Sequence, residues 1–172
     1  GNNTKNKYKD LGLLFEVFSE NKEIATHFAI VLQGEIDIRT EVPAWVTYSK
    51  FDSVVNKQVR ANIKMIDIAL SVETEKFNAN VAIGGKIYDY IAERKPIWII
   101  TPLPAYSKEQ LAKKIPNIYI SDYFKKEYYV NTLKKIIKDF ENGKFENGYL
   151  DEETLYQYSR EYQVKKLIPY LR

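Results

Sequence analysis

Short apolar segments alternate with amphipathic segments along most of the chain. Five apolar runs predict strands: FAIVL at 28–32, WVTY at 45–48, DIALS at 67–71, IWIIT at 97–101 and NIYI at 117–120. Most of these runs are almost continuously apolar rather than alternating with polar residues. This pattern is typical of strands that are buried on both faces of a parallel sheet.

Between the strands, apolar residues recur at spacings of three and four, which predicts amphipathic helices. The predicted stripes run through 11–18, 55–66, 87–91, 107–115, 130–140 and 155–171. The segment 141–153 separates the last two helices; it contains two Asn-Gly turn signals, and Asp151 is placed to cap the final helix. Alternation of strand and helix predicts one α/β domain over 1–172, a Rossmann-like doubly wound parallel sheet with helices on both faces.

The first predicted element is a helix that begins near Lys9, although such a domain normally begins with a strand. The segment 1–8 is polar, and the chain starts at Gly1 rather than at methionine. We expect the first strand to lie upstream, so that the chain is a fragment of a longer protein; the alternative is a sheet that is one strand short.

Composition excludes several kinds of site. The net charge of +3 comes from 26 basic and 23 acidic residues that are mixed along the chain, so a nucleic-acid partner is not indicated. The lysine-rich segment 125–141 also contains acids and predicts a solvated helix face. The absence of cysteine excludes disulfides and thiolate metal sites, and the single His27 argues against histidine-based metal sites and triads. No apolar run reaches the ~20 residues that cross a bilayer, so, together with the lack of cysteine, we expect a soluble cytoplasmic domain. We also expect no metal and no cofactor.

The segment GGKIYDYIAERKPIWII, residues 84–100, predicts a helix with an unusual beginning. Glycine is a weak helix former, and a lysine there has the wrong sign for the positive N-terminal end of the helix dipole. One interpretation is that this end binds an anion. The other is an ordinary loop that ends in a glycine pair beside an exposed lysine.

The position of this helix favours a binding site. A long connection, ETEKFNANVAI, joins the strand DIALS to it, and open α/β sheets bind ligands where strands end and helices begin. Lys86, Asp89 and Glu93 share one helix face, so Lys86 is placed to pair with a phosphate and Asp89 to accept hydrogen bonds from ribose hydroxyls. An exposed ladder of ion pairs explains the same spacing equally well.

The segment 84–100 resembles the donor-binding helix of GT-B-type glycosyltransferases. That family has a lysine, an acidic residue three positions later, Tyr, an aliphatic residue, Ala, Lys-Pro and an apolar strand. The matching residues here are Lys86, Asp89, Tyr90, Ala92, Lys95, Pro96 and Ile97 to Ile100. The segments 7–18, 28–35, 67–71 and 156–171 resemble, in order, the first helix, a strand that ends in glycine, the strand before the donor helix and the closing helix.

The resemblance implies the C-terminal, donor-binding half of a GT-B enzyme, with a nucleotide-diphosphate sugar as substrate and an N-terminal acceptor domain of the same protein as partner. It implies diphosphate binding by Gly84, Gly85 and Lys86, and ribose binding by Asp89. Lys9, or else Lys7, is the match for the basic residue that contacts phosphate. The nucleobase would lie against a loop that follows a strand, around Ser49, Lys50 and Phe51, and Glu73 would lie in the loop that faces the sugar.

Retaining members of that family often have two glutamates separated by seven residues. Asp89 matches the second, but Val81 stands at the first, so retaining stereochemistry is not supported and no catalytic residue is assigned. Two alternatives stay open: an enzyme related to the nucleotide-sugar epimerases, and a non-catalytic α/β interaction module with a tyrosine-rich surface. The donor base, the sugar and the acceptor also stay open.

Overall fold

The computed structural model describes residues 11–33, 44, 47–51, 56–73, 83–147 and 150–170. Its five strands are β1 (Ala29–Gln33), β2 (Thr47–Phe51), β3 (Ala69–Val72), β4 (Ile97–Thr101) and β5 (Ile118–Asp122). Its helices are α1 (Gly12–Glu20), α2 (Lys22–Ala25), α3 (Asn56–Lys64), α4 (Gly85–Ala92), α5 (Tyr106–Lys114), α6 (Lys126–Glu141), α7 (Lys144–Asn147), α8 (Glu152–Gln157) and α9 (Arg160–Leu167). A 3-10 turn, Ile168–Tyr170, follows α9.

All strand pairs in the described residues are parallel. β3, β4 and β5 form a three-stranded sheet with β4 in the centre, and β1 pairs with β2 in a separate two-stranded ladder. The predicted parallel α/β fold is therefore confirmed, and the strand at 97–101 is an interior strand as its uninterrupted apolar sequence suggests. The sheet is smaller than predicted, however, because the described strands do not join into one continuous ladder.

Helices cover both faces of the three-stranded sheet, because successive side chains of a strand point to opposite faces. Ile97 and Ile99 of β4 belong to a core cluster with residues of α4 and α5, namely Ile87, Ile91, Leu111 and Ile115. Trp98 and Ile100 belong to the other core cluster, which contains residues of α1 and α6 such as Phe15, Tyr129 and Leu133. This three-layer arrangement is compatible with a Rossmann-like fold.

The second cluster also connects the two ladders. Leu32 of β1 and Val72 of β3 are both buried in it, beside the apolar face of α1. The stripe of α1 consists of Leu14, Phe15 and Phe18, which are almost wholly inaccessible to solvent. Burial of large apolar side chains of this kind is the main favourable contribution to folding, at ~1.5–3 kcal/mol each.

The C-terminal region differs from its prediction as a single helix. The chain leaves the helical conformation at Ser159, whose backbone is extended, and the Ser159 hydroxyl accepts a hydrogen bond from the Tyr162 backbone N–H to cap α9. The predicted cap at Asp151 is confirmed, since its carboxylate accepts from the Thr154 N–H at 2.8 Å. The turn signal at Asn142-Gly143 is also confirmed, because Gly143 has a positive φ of 67°.

Helix α6 is solvated along most of its lysine-rich face, but one residue of that segment was assigned wrongly to solvent. Asp139 is only 3% exposed. It accepts hydrogen bonds from the Tyr119 hydroxyl, Lys135 Nζ and Lys144 Nζ. The hydroxyl that hydrogen-bonds to this buried acid belongs to Tyr119 of β5. The periodicity of the helix alone therefore does not reveal that Asp139 is buried.

Candidate functional site

The candidate site lies at the carboxyl edge of the three-stranded sheet, where three polar residues form one row. Thr101, the last residue of β4, pairs in register with Asp122, the last residue of β5. Glu73 directly follows β3 and continues the register beside Thr101, since its N–H donates to the Ile100 carbonyl at 2.8 Å. Residues in one row of a parallel sheet point to the same face, which here is the face that α4 and α5 cover.

Helix α4 begins at this edge. Its N-cap residue is Gly84, with an extended backbone (φ −60°, ψ 139°), and no side chain in the described part of the chain caps the helix. Gly84, Gly85 and Lys86 are all exposed. The first N–H groups of a helix have no acceptor within the helix, and they lie at the positive end of its dipole. The arrangement is chemically suited to binding an anion.

Neither glycine is required by the fold itself. Neither has a positive φ. Among the described residues, a Cβ at Gly85 would meet nothing within 4 Å, and one at Gly84 would stand 3.6 Å from Glu73 Oε1, an ordinary contact. By contrast, Gly143 adopts the left-handed conformation that favours glycine. Conformation and packing therefore leave the glycine pair at the start of α4 unexplained.

The structure brings four of the predicted site residues to the start of α4, and Glu73 beside them. Asp89 lies one turn after Lys86 and is half-buried, whereas Lys86 is exposed. Glu93 ends the helix, where it lies 3.9 Å from Lys64 and thus away from the helix start. Burial raises the pKa of the neighbouring Tyr90 hydroxyl, and the charge of Asp89 raises it further.

The remaining predicted site residues are Lys9 with its alternative Lys7, and the pair Ser49 and Lys50. Lys9 and Lys7 lie outside the described residues. Ser49 and Lys50 lie within β2, paired with Val31 and Leu32, so their assignment to a loop after the strand was wrong. The strand extends to Phe51 because pairing with β1 continues to Gln33, and the apolar pattern of 45–48 gave no indication of that extension.

Lys108 of α5 is a charged residue of this site that the sequence pattern did not reveal. Its side chain is wholly buried, and its Nζ lies 2.8 Å from Glu73 Oε2. A fully buried lysine is rare in proteins unless it is paired with an acid. The missed signal was a lysine in the first turn of a helix where the apolar stripe continues, at spacing three before Leu111.

Two buried oxygens at the same edge lack hydrogen bonds. Among the described residues, Thr101 Oγ1 and Glu73 Oε2 are the buried side-chain atoms without a hydrogen-bond partner. The contact of Oε2 with Lys108 is therefore an ion pair outside hydrogen-bonding angles. Asp122 differs, because its Oδ1 accepts from the Phe124 N–H at 3.0 Å. Unsatisfied buried oxygens usually indicate a place for water or for a ligand.

Other kinds of site find little support. Within the described ranges, no group of three or more acidic or histidine residues could hold a metal ion. A shallow cavity between Arg94, Pro96, Asn117 and Leu155 lies at the opposite, amino edge of the sheet, away from the glycine pair. None of the described helices is long and apolar enough to cross a membrane.

Comparison with known proteins gives no identification: no family model, no curated protein and no solved structure matches this chain.

Proposed function

We propose that this chain is the donor-binding domain of a GT-B-type glycosyltransferase, and that the start of α4 binds the diphosphate of a nucleotide-sugar donor. The observation that carries the proposal is the exposed Gly84-Gly85 pair at the carboxyl edge of a parallel sheet. Neither their backbone conformation nor packing against the residues that the structure describes requires those glycines. A ligand that approaches the backbone closely does require them, because any side chain would stand in its path.

Each residue around the glycine pair is proposed to bind a different part of the donor. The first N–H groups of α4 face the phosphate oxygens, and Lys86, which is exposed at the same end, adds a positive charge. Asp89, one turn further along, accepts hydrogen bonds from the ribose hydroxyls. Glu73 and Thr101 lie deeper in the row, where the sugar that is to be transferred would enter.

The same resemblance supplies the wider context of the proposal. GT-B enzymes bind their acceptor on a second domain, and we place the acceptor domain N-terminal to this one in the same cytoplasmic protein. The donor domain alone is then expected to bind the nucleotide without transferring the sugar. The described parallel ladders and their flanking helices are compatible with the donor-side layers of a Rossmann-like, doubly wound sheet.

Calorimetric or chemical-shift titration with uridine, guanosine, adenosine and thymidine diphosphates tests the proposal. We expect one of them to bind, with shifts centred on residues 84–89, and the matching nucleoside to bind much more weakly because it lacks the charges that the helix start attracts. The matching nucleotide sugar should perturb Glu73 and Thr101 in addition.

The alternatives predict different results. An enzyme related to the nucleotide-sugar epimerases would bind the same diphosphate but would convert the sugar without an acceptor. A non-catalytic interaction module would bind none of the four nucleotides, and that outcome would refute the proposed function.

A further inference from the structure

A carboxylate already lies next to the proposed anion site. Glu73 Oε1 is 3.6 Å from the place where a Cβ of Gly84 would stand, so this side chain borders the N-cap residue of α4. A carboxylate at a helix N-terminus is favourable by itself, because it meets the positive end of the dipole. For an incoming phosphate, however, it is a like charge at close range, and repulsion of that kind is strong in a partly buried site.

Lys108 is the buried cation that offsets this charge. Its side chain is wholly inaccessible to solvent, and its Nζ is 2.8 Å from Glu73 Oε2, whereas the Glu73 side chain is 16% exposed. The two charges are thus stacked in depth, with the lysine below and the carboxylate between it and the helix start.

The buried hydroxyl of Thr101 is a second, independent indication of a ligand at this edge. Thr101 is 0% exposed, and its Oγ1 has no hydrogen-bond partner among the described residues, whereas Glu73 Oε2 is held by the ion pair with Lys108. Both residues stand in the same row of the sheet. A folded protein seldom leaves a buried hydroxyl unsatisfied unless water or a bound ligand completes it.

We propose that Lys108 is a positioning residue of the donor site: it holds Glu73 in place and cancels the charge of that carboxylate, so that the start of α4 can accept a diphosphate. The inference rests on the proposed function and adds a requirement that the resemblance did not contain. Lys108 itself does not touch the diphosphate. Its effect is transmitted through Glu73.

The test is a cycle of charge changes, read out as affinity for the nucleoside diphosphate that the wild-type protein binds. Lys108→Met leaves one uncompensated negative charge at the site, Glu73→Gln leaves one positive charge, and the double variant is neutral like the wild type. We expect Lys108→Met to lower the affinity for the diphosphate by ~10- to 100-fold and Glu73→Gln to raise that affinity. The double variant should return to within about threefold of the wild type, since a neutral pair imposes little net field.

Two controls separate charge from structure. Lys113→Met makes the same substitution at an exposed position of the same helix, and it should leave the affinity unchanged. The uncharged nucleoside should bind all four proteins of the cycle equally. If Lys108→Met does not fold, the other proteins of the cycle still test the proposal. Glu73→Gln should then bind the diphosphate more tightly than the wild type, and the double variant should bind it about as tightly as the wild type.

The outcomes distinguish the two proposals. Failure of the wild-type protein to bind any nucleoside diphosphate overturns both of them. A wild-type protein that binds, together with a Lys108→Met variant that binds equally well, overturns only the role of Lys108. Equal losses for nucleoside and diphosphate would show that Lys108 merely supports the fold, and would overturn it too.

Discussion

Trp98 donates a hydrogen bond from its indole Nε1 to the Ser121 hydroxyl at 2.8 Å, across the two neighbouring strands β4 and β5. Ser121 also bonds to Thr132 of α6 at 2.9 Å, so this buried hydroxyl is fully engaged. Thr101, three residues along β4 and on the opposite face, is buried equally deeply, and no described residue hydrogen-bonds to its hydroxyl. The sheet therefore contains one hydroxyl that stabilises the fold and one that does not.

We expect the two hydroxyls to respond oppositely to removal. Thr101→Val has nearly the same shape and deletes an unsatisfied buried oxygen, so the free energy of unfolding should stay the same or rise by up to ~1 kcal/mol. Ser121→Ala leaves the Trp98 N–H without its acceptor and should lower that free energy by ~1–3 kcal/mol. Urea unfolding of the two variants and the wild type measures both changes. A clear loss of stability in Thr101→Val would mean that its hydroxyl has a partner in the unliganded protein.

Gly85→Val is expected to abolish binding of nucleoside diphosphate without reducing stability. No atom of the described residues lies within 4 Å of a Cβ at residue 85, so the described fold has room for it, but the side chain occupies the path to the helix N–H groups. Titration calorimetry measures the first effect and urea unfolding the second. Undiminished binding would mean that the glycine pair is only the end of a loop.

Gly143 provides a matched control for that variant. Its φ of 67° is strained for residues with a side chain, so Gly143→Ala should lower the free energy of unfolding by ~1 kcal/mol. It lies at the end of α6, away from the carboxyl edge, and its nucleotide affinity should equal that of the wild type. The two glycines thus separate a conformational role from a binding role.

Asp89→Ala should cost ~1–3 kcal/mol of binding free energy, the usual range for hydrogen bonds to a charged group. The loss should appear with ribonucleoside diphosphates and shrink with their 2′,3′-dideoxy analogues, because those lack the hydroxyls that Asp89 is proposed to bind. Calorimetry with the two ligands on both proteins completes the cycle. An equal loss with the dideoxy analogue would place Asp89 away from the ribose.

Lys86→Ala should lower the affinity for the nucleoside diphosphate in low salt and should have much less effect on that affinity in high salt. Its side chain is exposed, so its attraction for phosphate is screened by dissolved ions. Titrations at about 0.05 M and about 0.5 M salt measure the difference. An effect that does not change with ionic strength would argue against a charge interaction.

Local sequence patterns predicted the fold well where a single element determines the outcome. The stripe of α1, the apolar run of β4 and the cap at Asp151 are local signals, and the structure confirms them. Lys108 and Asp139 were missed or assigned wrongly because their partners, Glu73 and Tyr119, come from other elements. From the sequence alone, a charged residue on a helix is predicted to be solvated, because a partner from another element is known only once the fold is known.

Prediction of the site was limited in the same way. The glycine pair, Lys86 and Asp89 belong to one short segment, so their spacing along the chain is informative by itself. The row of Glu73, Thr101 and Asp122 exists only because three strands lie in register. The extension of β2 through Ser49 and Lys50 likewise follows from pairing with β1 rather than from its own residues.

Asp139 is expected to make stability fall in acid. Burial alone would raise the pKa of this carboxyl, but the hydrogen bonds from Lys135, Lys144 and Tyr119 outweigh burial and lower the pKa to about 2. A lowered native pKa means that the stabilisation is complete above the unfolded value of 3.8 and is lost as the pH falls toward about 2. The shift corresponds to about 2 kcal/mol of unfolding free energy.

Asp139→Asn should remove this contribution to the free energy of unfolding. The difference in that free energy between the wild type and the variant, here called the stability gap, should therefore narrow between pH 4 and pH 2. Urea unfolding across that range measures the gap, with Glu141→Gln, an exposed acid two residues along the same helix, as the matched control. A gap that stays constant with pH would show that the three hydrogen bonds do not favour the ionised carboxylate.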